Sequence, residues 1–150
     1  MSLKDRLTED MKVAMKAKEE GKLRLSVIRL ARAAIKNGEI DKKKEFGEAE
    51  VLEILAREVK MRRDSLPEFE RAGRIEAVDK LNQEIEILME YLPQQLSETE
   101  IRQIAGQVIA EVGAHGSKDL GKVMSVITPK MKGRADGKVV NQIVRELLGT

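Results

Sequence analysis

Six cations fall within one short stretch of the chain, Lys118, Lys122, Lys130, Lys132, Arg134 and Lys138, against only Asp119 and Asp136. Amines and guanidinium groups set close together, with no acid to neutralise most of them, suit the binding of phosphate. The densest part is Lys132-Gly133-Arg134-Ala135-Asp136-Gly137, where glycine allows the backbone to reverse. Helix starts attract anions through their unpaired N–H groups, and basic side chains strengthen that preference. Asp136 works against a vacant helix start, because it is placed to cap the next helix itself.

Other reactive residue types lack the company that catalysis needs. His115 is the single histidine and sits in a glycine-bounded loop, without a cysteine or spaced acids to share a metal. The carboxylate pairs Glu48/Glu50, Glu84/Glu86 and Glu98/Glu100 lie two apart, so on a helix they face different directions and read as solvated surface. Ser65 and Ser97 read as helix caps, and no serine stands in a nucleophile elbow or beside a Ser-x-x-Lys lysine. Neither a Walker loop nor a dinucleotide fingerprint is present. No catalytic residue, metal site or cofactor is assigned.

The elements that would hold the cations are helices. Leu120, Val123, Met124, Ile127 and Met131 repeat at helical spacing, as do Val139, Val140, Ile143, Val144, Leu147 and Leu148. Ile101, Ile104, Ala105, Val108, Ile109 and Val112 make a third stripe, opened by the capping pattern Ser97-x-x-Glu100. The spacing predicts helices at about 97–112, 119–131 and 137–148 whose stripes converge on one small core.

Earlier in the chain, Ser2-x-x-Asp5 caps a first helix along Leu3, Leu7, Met11, Ala14 and Met15. After Gly21 comes a helix that is apolar on several sides, read as stopping at Asn37-Gly38 before a charged loop at 41–45. A third helix carries Val51, Leu55, Val59 and Arg62 on one face, and Ser65-Leu66-Pro67-Glu68 is read as a restart. Ile75, Val78, Leu81, Ile85, Leu88 and Leu92 trace a seam on a long 74–92 helix, ended by Pro93. The expected fold class is all-α: an N-terminal helical domain over 1–93, then a small C-terminal three-helix bundle over 94–150.

Apolar residues make up 41% of the chain and aromatic ones 2%, a composition of packed helices without stacking platforms for single-stranded bases. The net charge of +2 implies no nucleic-acid partner by itself, so any such case rests on the local cluster. The absence of cysteine excludes disulfides and thiolate chemistry. With no secretory apolar run and no membrane-length segment, the expectation is a cytoplasmic protein that binds neither membrane nor DNA.

The ordered residues Ser65, Phe69, Gly73-Arg74, Tyr91-Leu92-Pro93, Leu120-Gly121-Lys122-Val123-Met124 and Lys132 to Gly137 resemble the YqeY-like proteins over essentially the whole chain. The second half also resembles the tail domain of the GatB subunit of a glutamine-dependent tRNA amidotransferase, a carbon–nitrogen ligase with glutamine as amido donor. That likeness rests on Gly121 to Met124, Lys132 to Ala135 and Val140-Asn141. It implies two helical parts and association with tRNA through the tail. The large domain that carries the amidotransferase chemistry has no counterpart here.

The functional expectation is a helical module, non-catalytic alone, that contacts tRNA or another structured RNA through Lys118, Lys122, Lys130, Lys132, Arg134 and Lys138. The alternatives are a protein–protein adaptor using the 74–92 helix, and an accessory or catalytic part of an amidotransferase reaction, for which an amidotransferase would be the protein partner.

Overall fold

The computed structural model describes residues 1–149. Among them are seven α-helices and no strand: α1 (Leu3–Lys16), α2 (Lys22–Lys42), α3 (Glu48–Arg71), α4 (Ile75–Met89), α5 (Glu98–Val112), α6 (Leu120–Met131) and α7 (Gly137–Leu148). The protein is all-helical. The chain divides into two compact units, Met1–Leu92 and Pro93–Thr150.

In the first unit α2 is the hub. It packs on α1, α3 and α4, while α4 lies along α3. A helix touching that many neighbours must be apolar on several sides, and Val27, Ile28, Ala31 and Ile35 are all buried. Leu7, Val51, Leu55 and Leu88 complete the centre of this core. Each such side chain contributes roughly 1.5–3 kcal/mol by leaving water.

The helix starts follow local chemistry. Ser2 Oγ accepts from the Asp5 N–H at 3.1 Å and Asp5 returns the bond to the Ser2 N–H at 3.2 Å, a complete capping box. Glu48 Oε1 accepts from the Leu3 N–H at 2.9 Å, and Glu50 Oε1 accepts from the Gly47 N–H at 3.2 Å. The Glu48/Glu50 pair is therefore bound to helix starts instead of being plain solvated surface.

Three further readings of the first unit need correction. α2 does not stop at Asn37-Gly38 but runs on to Lys42, with Lys43 as a left-handed cap at φ 53°. Gly38 lies inside the helix because the buried Phe46 ring lies against it; a Cβ there would be 2.7 Å from Phe46 Cε2. α3 likewise continues through Pro67 to Arg71. Proline forfeits one backbone bond, but Leu66 packs on the core, and that packing carries the helix through the defect. Ser65 is accordingly no cap, and its hydroxyl donates to the Met61 carbonyl at 3.0 Å.

The third correction concerns Glu84, read as solvated. Its side chain is only 14% exposed and accepts from Arg62 Nε at 2.9 Å across the α3–α4 seam. Arg62 Nη1 also reaches Glu58 Oε1 at 3.1 Å and the Glu58 carbonyl at 3.0 Å. Near the end of α4, the buried Tyr91 hydroxyl donates to the Asp10 carboxylate, and the Arg6 guanidinium stacks 4.8 Å from the ring centroid. Burial, helped by the bond to Asp10, pushes the Tyr91 phenol well above its ordinary value.

In the second unit α5, α6 and α7 each pack on the other two. Ala105, Val108, Val123, Ile127, Val140 and Val144 form the centre of that core. Ser97 Oγ accepts from the Glu100 N–H at 3.2 Å and starts α5. Pro129 lies in the last turn of α6, beside Thr128, whose hydroxyl donates to the Met124 carbonyl at 2.6 Å.

Candidate nucleic-acid interface

The six basic residues all lie exposed on the second unit, but not in one cluster. Lys118 belongs to the short 3-10 turn before α6, and Lys122 to the first turn of α6. Lys130 is in the last turn of α6, Lys132 caps that helix, Arg134 is in the following loop and Lys138 opens α7. At 1.5 Å per residue, Lys122 and Lys130 stand roughly 12 Å apart along the helix axis. The fold thus gathers four cations around the loop and places two toward the opposite end of α6. Among the described residues no ion pair holds Lys118, Lys122, Lys130 or Arg134.

The loop has a defined conformation. Gly133 adopts φ 73°, and the Arg134 and Ala135 N–H groups both donate to the Met131 carbonyl, at 2.9 and 3.1 Å. The segment before α5 then ties it down. Gln95 Nε2 donates to the Gly133 carbonyl at 2.7 Å, and the Leu96 N–H donates to the Arg134 carbonyl at 2.9 Å. Spacing within the loop could not reveal these two ties, because their donors lie almost forty residues earlier. Gln95 and Leu96 are therefore part of the support for the basic loop.

Asp136 caps α7, its Oδ1 accepting from the Lys138 N–H at 2.9 Å. The start of α7 is consequently occupied by a carboxylate, and phosphate binding here would rely on side-chain cations. Two acids of this unit are engaged elsewhere: Glu98 and Glu146 both pair with Arg102, at 2.9 and 2.6 Å. Glu98 pairs with Arg102 within α5 and stays largely exposed, while the Arg102–Glu146 pair joins α5 to α7. The His115 N–H donates to Asp119 Oδ2 at 2.9 Å, which closes the turn before α6.

Among the described residues no three of histidine, cysteine, aspartate and glutamate stand together as a metal site. In the same span no helix is long and apolar enough to cross a membrane.

The left-handed Gly133 supplies a direct test of the loop. A Cβ there would stand 3.9 Å from Pro93 Cδ, which is ordinary contact, so the cost of Gly133→Ala lies in the backbone alone. The substitution is expected to destabilise the second unit by about 1–2 kcal/mol. Urea unfolding followed by circular dichroism measures this. No change in midpoint would mean that the loop is not held in this conformation.

A family model described as Yqey-like protein matches residues 4–148. Fungal relatives named "Altered inheritance of mitochondria protein 41, mitochondrial" are among the matches. The protein of Pyrenophora tritici-repentis is 27% identical over 96% of this chain and 80% of its own length. That of Lachancea thermotolerans is 35% identical over 71% of this chain and 57% of its own. A further match, 37% identical over 35% of this chain but only 9% of the relative, is to a subunit of the Glutamyl-tRNA(Gln) amidotransferase of Methanospirillum hungatei. The amidotransferase likeness that the sequence motifs pointed to is thus met over a short stretch of that relative.

The expectation of a cytoplasmic protein is overturned by the fungal relatives, whose names are mitochondrial. It rested on the lack of a secretory apolar run and of a membrane-length segment, and neither feature separates the cytosol from a mitochondrial compartment. Mitochondrial addresses are amphipathic and basic, so a search for an apolar run does not detect them. The matched family model covers all seven helices and both units, and the chain is a member of the YqeY-like protein family.

Proposed function

We infer that this chain is a helical RNA-binding module, non-catalytic alone, related to the tail of the tRNA amidotransferases. Its second unit is a three-helix bundle, and the surface that meets the RNA is the loop carrying Lys130, Lys132, Arg134 and Lys138, with Lys118 and Lys122 extending it along α6. The observation that carries this reading is a set of exposed cations on a loop tied down by Gln95 and Leu96. Structured RNA is bound largely through phosphates and shape, which requires cations on a rigid frame and does not require aromatic platforms. The name of the amidotransferase relative supports tRNA as the RNA.

The adaptor alternative depends on an apolar strip on α4 beyond what the core uses. Ile85, Ile87 and Leu88 are buried in the core of the first unit, Val78 and Leu81 are half-buried, and Ile75 is the exposed large apolar residue on that helix. The RNA reading is therefore preferred.

The test is a tRNA titration over a salt series, comparing the natural chain with a variant carrying Lys130→Ala, Lys132→Ala, Arg134→Ala and Lys138→Ala. About four phosphate contacts at the loop contribute near −3 to −4 to the slope of log K against log salt. The variant, folded by circular dichroism, is expected to lose most of that slope together with its affinity. Equal, salt-insensitive binding by both proteins would sink the proposal.

A further inference from the structure

A second cationic surface lies in the first unit, where the sequence motifs drew no attention. The groove between α1 and α2 encloses about 510 Å³, and its lining includes Lys4, Arg29, Arg32 and Lys36 with Glu39 as the one carboxylate. Leu7, Ala33 and Ile35 contribute apolar wall. Arg29, Arg32 and Lys36 follow one another at i, i+3 and i+7, so they share one side of α2, and all three are exposed. Among the described residues none of the three is in an ion pair. Arg32 Nη1 meets only the Met11 thioether at 3.0 Å, a weak acceptor that leaves most of the guanidinium's donors uncommitted.

Glu39 does not cancel this charge. Its carboxylate is engaged by Lys4 and by the Phe46 N–H at 2.7 Å. The Lys4 bond, the Phe46 N–H and then the charges of Lys4 and Lys36 hold it below the usual carboxylate range. The carboxyl thus senses the positive field of the groove while remaining bound into its wall.

We propose that the α1–α2 groove is a second phosphate-binding surface, taking the sugar–phosphate backbone of structured RNA along Arg29, Arg32 and Lys36. The class of polyanion rests on the RNA reading above; the presence of the cationic rail does not. From Arg29 to Lys36 the helix rises roughly 10 Å at 1.5 Å per residue. That reach exceeds the separation of neighbouring phosphates on a strand, so the three cations can meet more than one phosphate. Cations spread over two turns on a rigid helix fit a run of phosphates better than a single one. The apolar wall offers contact to sugars, and the groove lining carries no aromatic ring as a stacking platform.

The experiment uses the full chain and a labelled tRNA transcript, titrated between about 50 and about 200 mM salt. A groove variant carries Arg29→Gln, Arg32→Gln and Lys36→Gln, which keeps the stems and removes the charge. A second carries Arg29→Lys and Arg32→Lys, which keeps the charge. The loop variant described above is measured alongside, and all are checked for helical content.

The glutamine variant is expected to bind more weakly, with a salt slope shallower by about 2 to 3, while the lysine variant keeps the slope of the natural chain. If the glutamine variant matches the natural chain while the loop variant loses affinity, the groove proposal is overturned and the loop reading stands. If the groove variant loses affinity and the loop variant does not, the groove stands and the loop reading falls. Absence of binding by the natural chain overturns both. Loss in the lysine variant equal to that in the glutamine variant would also overturn the groove, because charge would not be what binds.

Discussion

Arg62→Ala is expected to destabilise the first unit by about 3–5 kcal/mol, because it leaves two carboxylates facing each other in the α3–α4 seam without a counter-charge. Glu58 and Glu84 are 12% and 14% exposed, so water relieves little of that repulsion. A domain of this size has a total stability of about 5–15 kcal/mol, so the change removes a large part of it. The cause is the stranded charge, and a variant that removes all three charges separates it from lost packing. Arg62→Met with Glu58→Met and Glu84→Met is expected to be close to neutral, since buried ionic triads are often no more stabilising than apolar groups of similar volume. Urea unfolding measures both, fitted with separate transitions for the two units. A loss below about 1 kcal/mol for Arg62→Ala would place the cluster with ordinary surface ion pairs.

Gly21→Ala is expected to cost about 3 kcal/mol, and here the mechanism is purely steric. Gly21 has φ −94° and ψ 0°, a conformation open to alanine, so its backbone is not strained. A Cβ would nevertheless lie 2.2 Å from the Ala14 carbonyl oxygen and 2.9 Å from Ala14 Cα. The struck atoms are backbone, so they cannot swing aside, and the end of α1 must separate from the start of α2. Overpacking of this kind costs typically about 1–3 kcal/mol, and a backbone obstacle puts it at the upper end. For a unit of this size that corresponds to a fall in Tm of roughly 12–24 °C. Gly106→Ala in α5 is the matched control, since nothing stands within 4 Å of its Cβ position. There alanine is expected to stabilise the helix by up to about 1 kcal/mol. An unchanged Tm for Gly21→Ala would mean that α1 and α2 do not approach this closely.

Gly21 and Gly38 both look like helix breakers in the linear pattern, yet one is a point of close approach between helices and the other makes room for the Phe46 ring. Arg62 appeared on an otherwise apolar stripe, and a charged residue in that position was the available sign of a buried ion cluster. Its partner Glu84 lies on another helix, so spacing could not identify the pair. The basic loop was legible because its cations are neighbours in sequence. The α1–α2 groove was not, because Lys4 meets Arg29, Arg32 and Lys36 only when α1 folds back onto α2.

What the sequence determined by itself is local: the all-helical class, the caps at Ser2, Ser97 and Asp136, and the buried stripes of α5, α6 and α7, although Val139 and Leu147 of the α7 stripe are exposed. These follow from hydrogen bonds and side-chain periodicity that reach no further than one turn. The tertiary structure decided whether Pro67 and Gly38 would interrupt a helix, which carboxylates would be buried, and where the loop after α6 would be tied. Each of these turns on packing or hydrogen bonding between segments far apart in the chain, which outweighs a local preference worth about 1 to 3 kcal/mol.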